Sequence, residues 1–123
     1  MQFIRSNDVR PSSAAVIHNG KVLETVLVGM TPGESKPVAG GAGAEMREIF
    51  RQLDEILAEA GLERTHICSA RIYLQDVLGE VGEINAVWKE YFGTHPPNRR
   101  CYGVQLQVGL RVEAGFVAEF PEA

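Results

Sequence analysis

Cysteine, histidine and basic charge are all scarce in this chain, and each scarcity excludes a class of function. Two cysteines in 123 residues, Cys68 and Cys101, are too few for a disulfide framework, so reduced thiols in a cytoplasmic protein are expected. The three histidines, His18, His66 and His95, share no neighbouring ligand at metal-binding spacing, and no metal is expected. Long apolar runs are missing too. Nothing approaches the ~18 residues of a membrane span, and the opening MQFIRSNDVR lacks the apolar core and cleavage region of a leader. The net charge is −4, and Arg99–Arg100 is the only adjacent pair of basic residues. Neither a membrane nor a nucleic-acid partner is therefore expected, since the latter needs a basic face.

What the chain does have is enough apolar content to close a core without staples. Hydrophobic residues make up 45% and charged residues 23%, which suits one soluble domain over 1–123. Apolar runs at Ser13–His18 and Val22–Met30 flank Asn19-Gly20, two residues that tolerate positive φ, so a hairpin is expected. Gly33 to Gly43 reads as a loop. Its GGAGA segment lacks the full spacing of a phosphate-binding motif.

Helical periodicity starts at Ala44. Met46, Ile49, Phe50, Leu53, Ile56, Leu57 and Ala60 form one stripe, ended by Gly61 with Leu62 folding back. The opposite side, rich in Glu and Arg, reads as a solvated face. Ile67–Leu74 alternates as a strand, with Cys68, Ala70, Ile72 and Leu74 on its buried side. A second helix is expected over Leu78–Phe92, with Val81, Ile84, Trp88, Tyr91 and Phe92 buried. Asn85 shares that stripe, and a buried amide needs a partner: a loop backbone or a ligand.

Two strands close the chain. Pairing them as a hairpin through a three-residue turn, Val108-Gly109-Leu110, sets Tyr102, Val104 and Leu106 opposite Phe116, Ala114 and Val112. Arg99, Cys101, Gln105 and Glu113 then share the other face. In that register Arg99 and Glu113 lie about 20 Å apart at ~3.3 Å per residue, so one small ligand reaches both only across two subunits. The order ββαβαββ describes an α+β sandwich with two helices on one sheet face, leaving the other face for an oligomeric partner.

The segments LDEILAEAGLERTHICSARIYLQDV, NAVWKEYFGTHPPNRRC and GLRVEAGFVA together resemble the RidA/YjgF family of enamine/imine deaminases, also labelled endoribonuclease L-PSP. Three motifs carry the resemblance in order: Asn85 on the second helix, Pro97-Asn98-Arg99-Arg100-Cys101 leading into the fifth strand, and Val112-Glu113 in the last. The resemblance implies a chorismate-mutase-like fold, a homotrimer, clefts between subunits and no cofactor. It implies that Arg99 binds a substrate carboxylate, that Glu113 of a neighbouring chain positions water, and that Cys101 lines the pocket. Asn85, Ser12 and Gly29 complete the expected substrate-binding set. Departures from the family pattern occur at Pro11-Ser12-Ser13 and at Val28-Gly29-Met30, where the lining becomes more apolar.

The function so implied is hydrolytic removal of ammonia from reactive 2-imino or enamine acids, giving 2-keto acids. The alternative is a trimer of the same family that binds small carboxylates without chemistry, as a sensor. On the residues alone, Arg99 is open to a second role as an interface salt bridge with Glu119, and Glu113 to a bond with Gln105 or an ion pair across subunits.

Overall fold

The computed structural model describes residues 1–5, 13–107 and 109–122. Six strands, β1 (Gln2–Ile4), β2 (Ala15–His18), β3 (Val22–Val28), β4 (Ile67–Leu74), β5 (Asn98–Gly103) and β6 (Val112–Glu119), form one sheet. Its order is β1-β2-β3-β6-β4-β5. Helices α1 (Ala42–Ala60) and α2 (Val77–Phe92) supply the second layer. The α+β architecture with two helices on a mixed sheet is the one expected. A short strand, β1, is added ahead of it, paired antiparallel with β2.

Local chemistry explains the elements. Asn19 and Gly20 both take positive φ, 53° and 67°, and Lys21 N–H closes the β2–β3 turn on the His18 carbonyl at 2.9 Å. Helix α1 starts two residues before the expected Ala44. It ends at Gly61 in the left-handed conformation, with Leu62 N–H bonded to the Leu57 carbonyl and Gly61 N–H to that of Ala58. That pattern is a Schellman cap, which satisfies two carbonyls that a helix otherwise leaves unpaired. Asp76 caps α2 by accepting from Gly79 N–H, and the Glu80 carboxylate returns a bond to Asp76 N–H.

The apolar stripe of α1 is buried as its spacing predicts, from Met46 through Leu57. It packs over Leu23 and Leu27 of β3 and over Val112, Ala114, Phe116 and Ala118 of β6. Ile84, Val87, Trp88 and Phe92 of α2 complete the core. Phe50, Trp88, Phe92 and Phe116 form an aromatic cluster with centroids 4.7–6.2 Å apart.

The expected β5–β6 hairpin does not form. β5 pairs parallel with β4, and β6 inserts between β3 and β4, antiparallel to both. Two physical reasons favour this arrangement. A strand, a helix and a second strand in succession return the chain to its starting end, which makes β4 and β5 parallel neighbours. The alternating Val, Ala, Phe and Ala of β6 need burial beneath helices, whereas the polar NRRCYG of β5 tolerates a sheet edge.

This pairing also revises the faces. Ala70 is flanked by Arg99 and Phe116, and Ile72 by Cys101 and Ala114, all on the helix side. Tyr73 is flanked by Tyr102 and Glu113, which point to the open side. Arg99 and Glu113 therefore occupy opposite faces of the sheet. Val104 and Leu106 lie beyond β5, in a connection tied down by Val104 N–H to the Leu74 carbonyl and by Leu106 N–H to Gln75 Oε1. Glu119 pairs with Val22 and is not opposite Arg99.

Cys68 is another correction. A β-bulge between Ile67 and Ser69 turns Ile67 inward and leaves Cys68 exposed, its thiol donating to the Val117 carbonyl at 3.4 Å. Strict alternation fails wherever a bulge adds a residue.

At the end of β3 the backbone of Gly29 presses on α1. A Cβ built there meets Glu45 Cβ at 2.4 Å and its Cα at 2.6 Å. Gly29→Ala is expected to lower stability by about 1–3 kcal/mol through overpacking. Urea unfolding measures it, and a midpoint equal to that of the natural protein would contradict this close approach.

Candidate functional site

Arg99 sits on the edge strand β5, half-buried against α2. Its Nη2 donates to Asn85 Oδ1 at 2.7 Å, and its guanidinium carbon lies 5.0 Å from the centroid of the Trp88 ring. Asn85 and Trp88 are three residues apart on α2, one helical turn, so a single helix face presents both to the arginine. Asn85 thus holds a side chain, where a loop backbone or a ligand was expected. Among the described residues no carboxylate pairs with Arg99, which leaves most of its five N–H donors available. Cys101, two residues on, shares this face and is partly buried against the core.

Glu113 looks out of the opposite face. Its neighbours across the ladders are Val28 on β3 and Tyr73 on β4. It lines a cavity of about 440 Å³ together with Val26, Val28, Met30, Pro32, Ile56 and the side chain of Arg5. Val28 and Met30 add apolar surface to this wall as expected, but Arg5, Ser13, Gln52 and Glu113 make the lining as a whole mixed. The expected bond to Gln105 is absent, because Gln105 lies in the connection past β5.

Within one chain the two charged residues are two strands and three residues apart. At ~4.8 Å per strand and ~3.3 Å per residue that is roughly 14 Å between Cα atoms, with the sheet between their side chains. The structure therefore brings Arg99, Asn85 and Cys101 together and sets Glu113 apart from them. Gly29 faces α1, its carbonyl accepts from Val38 N–H at 2.9 Å in the loop before that helix, and it is not part of the cavity wall. Ser12 lies outside the described residues.

A family model for endoribonuclease L-PSP matches residues 7–120. The chain belongs to this family, the one also called RidA/YjgF. Human 2-iminobutanoate/2-iminopropanoate deaminase is 30% identical over 111 residues, 89% of this chain and 80% of that one. A RutC family protein of Aquifex aeolicus is 34% identical over 113 residues and 89% of each chain. Among solved structures, a YjgF family member from Neisseria meningitidis superposes with a TM-score of 0.80 at 26% identity, covering 99% of this chain and 96% of that one.

This L-PSP family chain also uses two buried polar residues of α1 that the charge pattern hides. Glu45 and Gln52 are both buried, seven residues apart and so on one ridge of the helix. Gln52 Nε2 donates to the carbonyls of Met30 at 2.7 Å and Val28 at 3.3 Å, holding the cavity wall beside Glu113. Glu45 Oε1 accepts from Arg111 N–H at 2.9 Å, two residues before Glu113, and Arg111 Nε reaches Glu80 Oε2 at 2.6 Å. A usable signal was present: Glu45 and Gln52 each fall four residues before a buried isoleucine, Ile49 and Ile56, on the flank of the apolar stripe. The expected solvated face is narrower than the count of charged residues implies.

Burial pushes the Glu45 carboxyl above its ordinary value, against the lowering pull of the backbone N–H groups of Arg111 and Val112 and of the Arg111 charge; nearby Glu80 adds to the rise. A carboxyl raised in the fold favours the protonated state there. Its contribution to stability is full below the unfolded value near 4.5 and is lost as pH rises through the folded value. Glu45→Gln removes that titration, so the stability difference is expected to shift towards the variant as pH rises through this window. Denaturation of both proteins at several pH values checks it; parallel curves would contradict the assignment.

Proposed function

We propose that this protein is a deaminase that hydrolyses small 2-imino acids and their enamine tautomers to 2-keto acids and ammonia, at sites formed between subunits of a homotrimer. The observation that carries the reading is Arg99. Its guanidinium is held by a neutral amide and an aromatic face, with no acidic partner among the described residues. Such an arginine is a ready receptor for a carboxylate, through two parallel charge-assisted bonds. Relatives about 30% identical over most of the chain, named 2-iminobutanoate/2-iminopropanoate deaminases, support the choice of reaction.

The chemistry follows from the groups available. Arg99 orients the substrate by its carboxylate, which places the adjacent C=N carbon at a fixed distance from the β5 edge. Glu113 of a neighbouring chain takes a proton from water as the oxygen attacks that carbon of the protonated imine, giving a carbinolamine. Glu113 passes the proton to the nitrogen, which leaves as ammonia, while the hydroxyl gives its own proton to the Glu113 carboxylate and its C–O bond becomes the ketone. The imine is reactive enough that this reading invokes no cofactor. Cys101 lines the pocket next to Arg99. The cavity wall beside Glu113, from Val26 to Met30, suits an apolar substrate side chain.

Opposite sheet faces favour a composite site, because one copy cannot turn Arg99 and Glu113 towards one small ligand. The open face also leaves Val26 at 62% and Tyr102 at 45% exposure, surfaces suited to a second copy.

The test uses 2-iminopropionate made in situ by an amino-acid oxidase. Arg99→Ala and Glu113→Gln are each expected to lose at least about a hundredfold in rate. Mixing the two inactive variants through reversible unfolding is expected to restore about a quarter of the natural activity, since random assembly pairs an intact Arg99 with an intact Glu113 in that share of sites. No recovery would overturn the composite site. A natural protein that binds pyruvate but does not speed imine loss would favour the non-enzymatic carboxylate-binding reading.

A further inference from the structure

We infer that Trp88 is the positioning residue that sets the plane of Arg99. Its indole face is the platform on which the guanidinium lies, and the orientation it imposes decides how a carboxylate is met. The inference deepens the reading of Arg99 as a carboxylate receptor and rests on it for the second half of the statement only.

Three observations converge here. The guanidinium carbon of Arg99 is 5.0 Å from the Trp88 ring centroid, within the range at which a cation is attracted by the ring face. Trp88 itself is buried and cannot tilt, because Phe50, Phe92 and Phe116 pack around it at 5.7, 4.7 and 6.2 Å. Asn85 Oδ1 takes one N–H at 2.7 Å, from a position one turn earlier on the same helix.

A ring beneath and an amide at one edge together remove the rotations open to an arginine head. The donors that remain lie in the guanidinium plane, and a carboxylate engages two of them only if it lies in that plane too. An ammonium has no plane to set, so the platform is specific to arginine. The aromatic cluster thus has a second role besides core packing: it transmits the rigidity of the helix layer to a side chain on the sheet edge.

The test has one arm that needs no ligand. In the nitrogen–proton spectrum of the natural protein, the Arg99 Nε–H signal, assigned by its loss in Arg99→Lys, is expected at an upfield position caused by the indole ring current. Trp88→Leu is expected to abolish that displacement and to weaken pyruvate binding about five- to tenfold, raising KM for 2-iminopropionate while kcat changes less than about twofold. Trp88→Phe keeps a ring and is expected to stay within about threefold of the natural affinity. Leu57→Ala, two turns from Phe50 along α1, lowers stability through the core alone and is expected to leave both the Arg99 signal and pyruvate affinity unchanged.

An undisplaced Arg99 signal in the natural protein overturns the inference without any variant. So does a folded Trp88→Leu protein that binds pyruvate like the natural one, or a Leu57→Ala protein that loses affinity to the same extent. If the ring-current displacement is present and lost in Trp88→Leu, yet the natural protein neither binds pyruvate nor consumes the imine, the platform stands and the carboxylate reading of Arg99 fails.

Discussion

Everything in this molecule depends on the last strand being hydrogen-bonded along both edges. β6 pairs with β3 from Val28↔Glu113 to Val22↔Glu119 and with β4 from Leu74↔Val112 to Ile67↔Ala118. A strand in that position has no choice of register, because a slip of one residue would turn Val112, Ala114, Phe116 and Ala118 out of the core. The same constraint fixes Glu113. With both neighbours of the residue buried beneath α1, its carboxylate must emerge from the open face. The candidate acid–base group is thereby positioned by hydrophobic parity, at no cost in buried charge.

The two helices divide the work of holding the two candidate half-sites. Helix α1 serves the open face from behind, where Gln52 fixes the carbonyls of Val28 and Met30, and Glu45 fixes the backbone of Arg111, two residues before Glu113. Helix α2 serves the sheet edge, through Asn85 and Trp88 on Arg99. Each helix thus buries an apolar stripe and sends polar groups from its flank to the sheet, α1 to the backbone near Glu113 and α2 to the Arg99 side chain. Buried polar groups of this kind are costly unless fully partnered, and no buried side-chain nitrogen or oxygen among the described residues lacks a partner. The scaffold therefore gives precision to residues that would otherwise be long, mobile side chains on a sheet.

Most of the fold was legible in the sequence because its elements carry strong local signals. The α1 stripe, the Gly61 stop, the Asn19-Gly20 turn and the bounds of β4 all follow from spacing and turn chemistry. The failure at β5 and β6 has a different origin. Strand pairing is a long-range property, and a short connection after Gly103 makes a hairpin look natural when only those two strands are weighed. The strand–helix–strand order from β4 to β5 already favoured a parallel neighbour, and the fully alternating β6 competes better for an interior place than the polar β5. The separation of Arg99 from Glu113 survives that correction on different grounds. Opposite faces replace distance along one ladder as the reason that one chain does not bring Arg99 and Glu113 together. Glu45 and Gln52 escaped notice because a charged or amide residue on a helix reads as solvated unless the helix's full burial arc is known.

Opposite faces also set how the candidate site can evolve. Arg99 answers to α2 and the aromatic cluster, whereas Glu113 answers to α1 and the end of β3. The two supports meet where Phe50 of α1 packs on Trp88 and where Arg111 reaches Glu80 of α2, so changes there should couple the halves, whereas changes at Val26, Val28 or Met30 should combine additively with changes at Asn85. The apolar wall at Val26, Val28 and Met30 belongs to the Glu113 half alone. On the proposed reading, a chain can thus exchange that wall while the Arg99 half stays unchanged. The departures of this sequence from its family pattern at Val28 and Met30 fall on the replaceable half, and Asn85, Arg99 and Cys101 keep the family pattern on the other. On the proposed reading, that distribution fits a retained reaction with a changed side-chain preference.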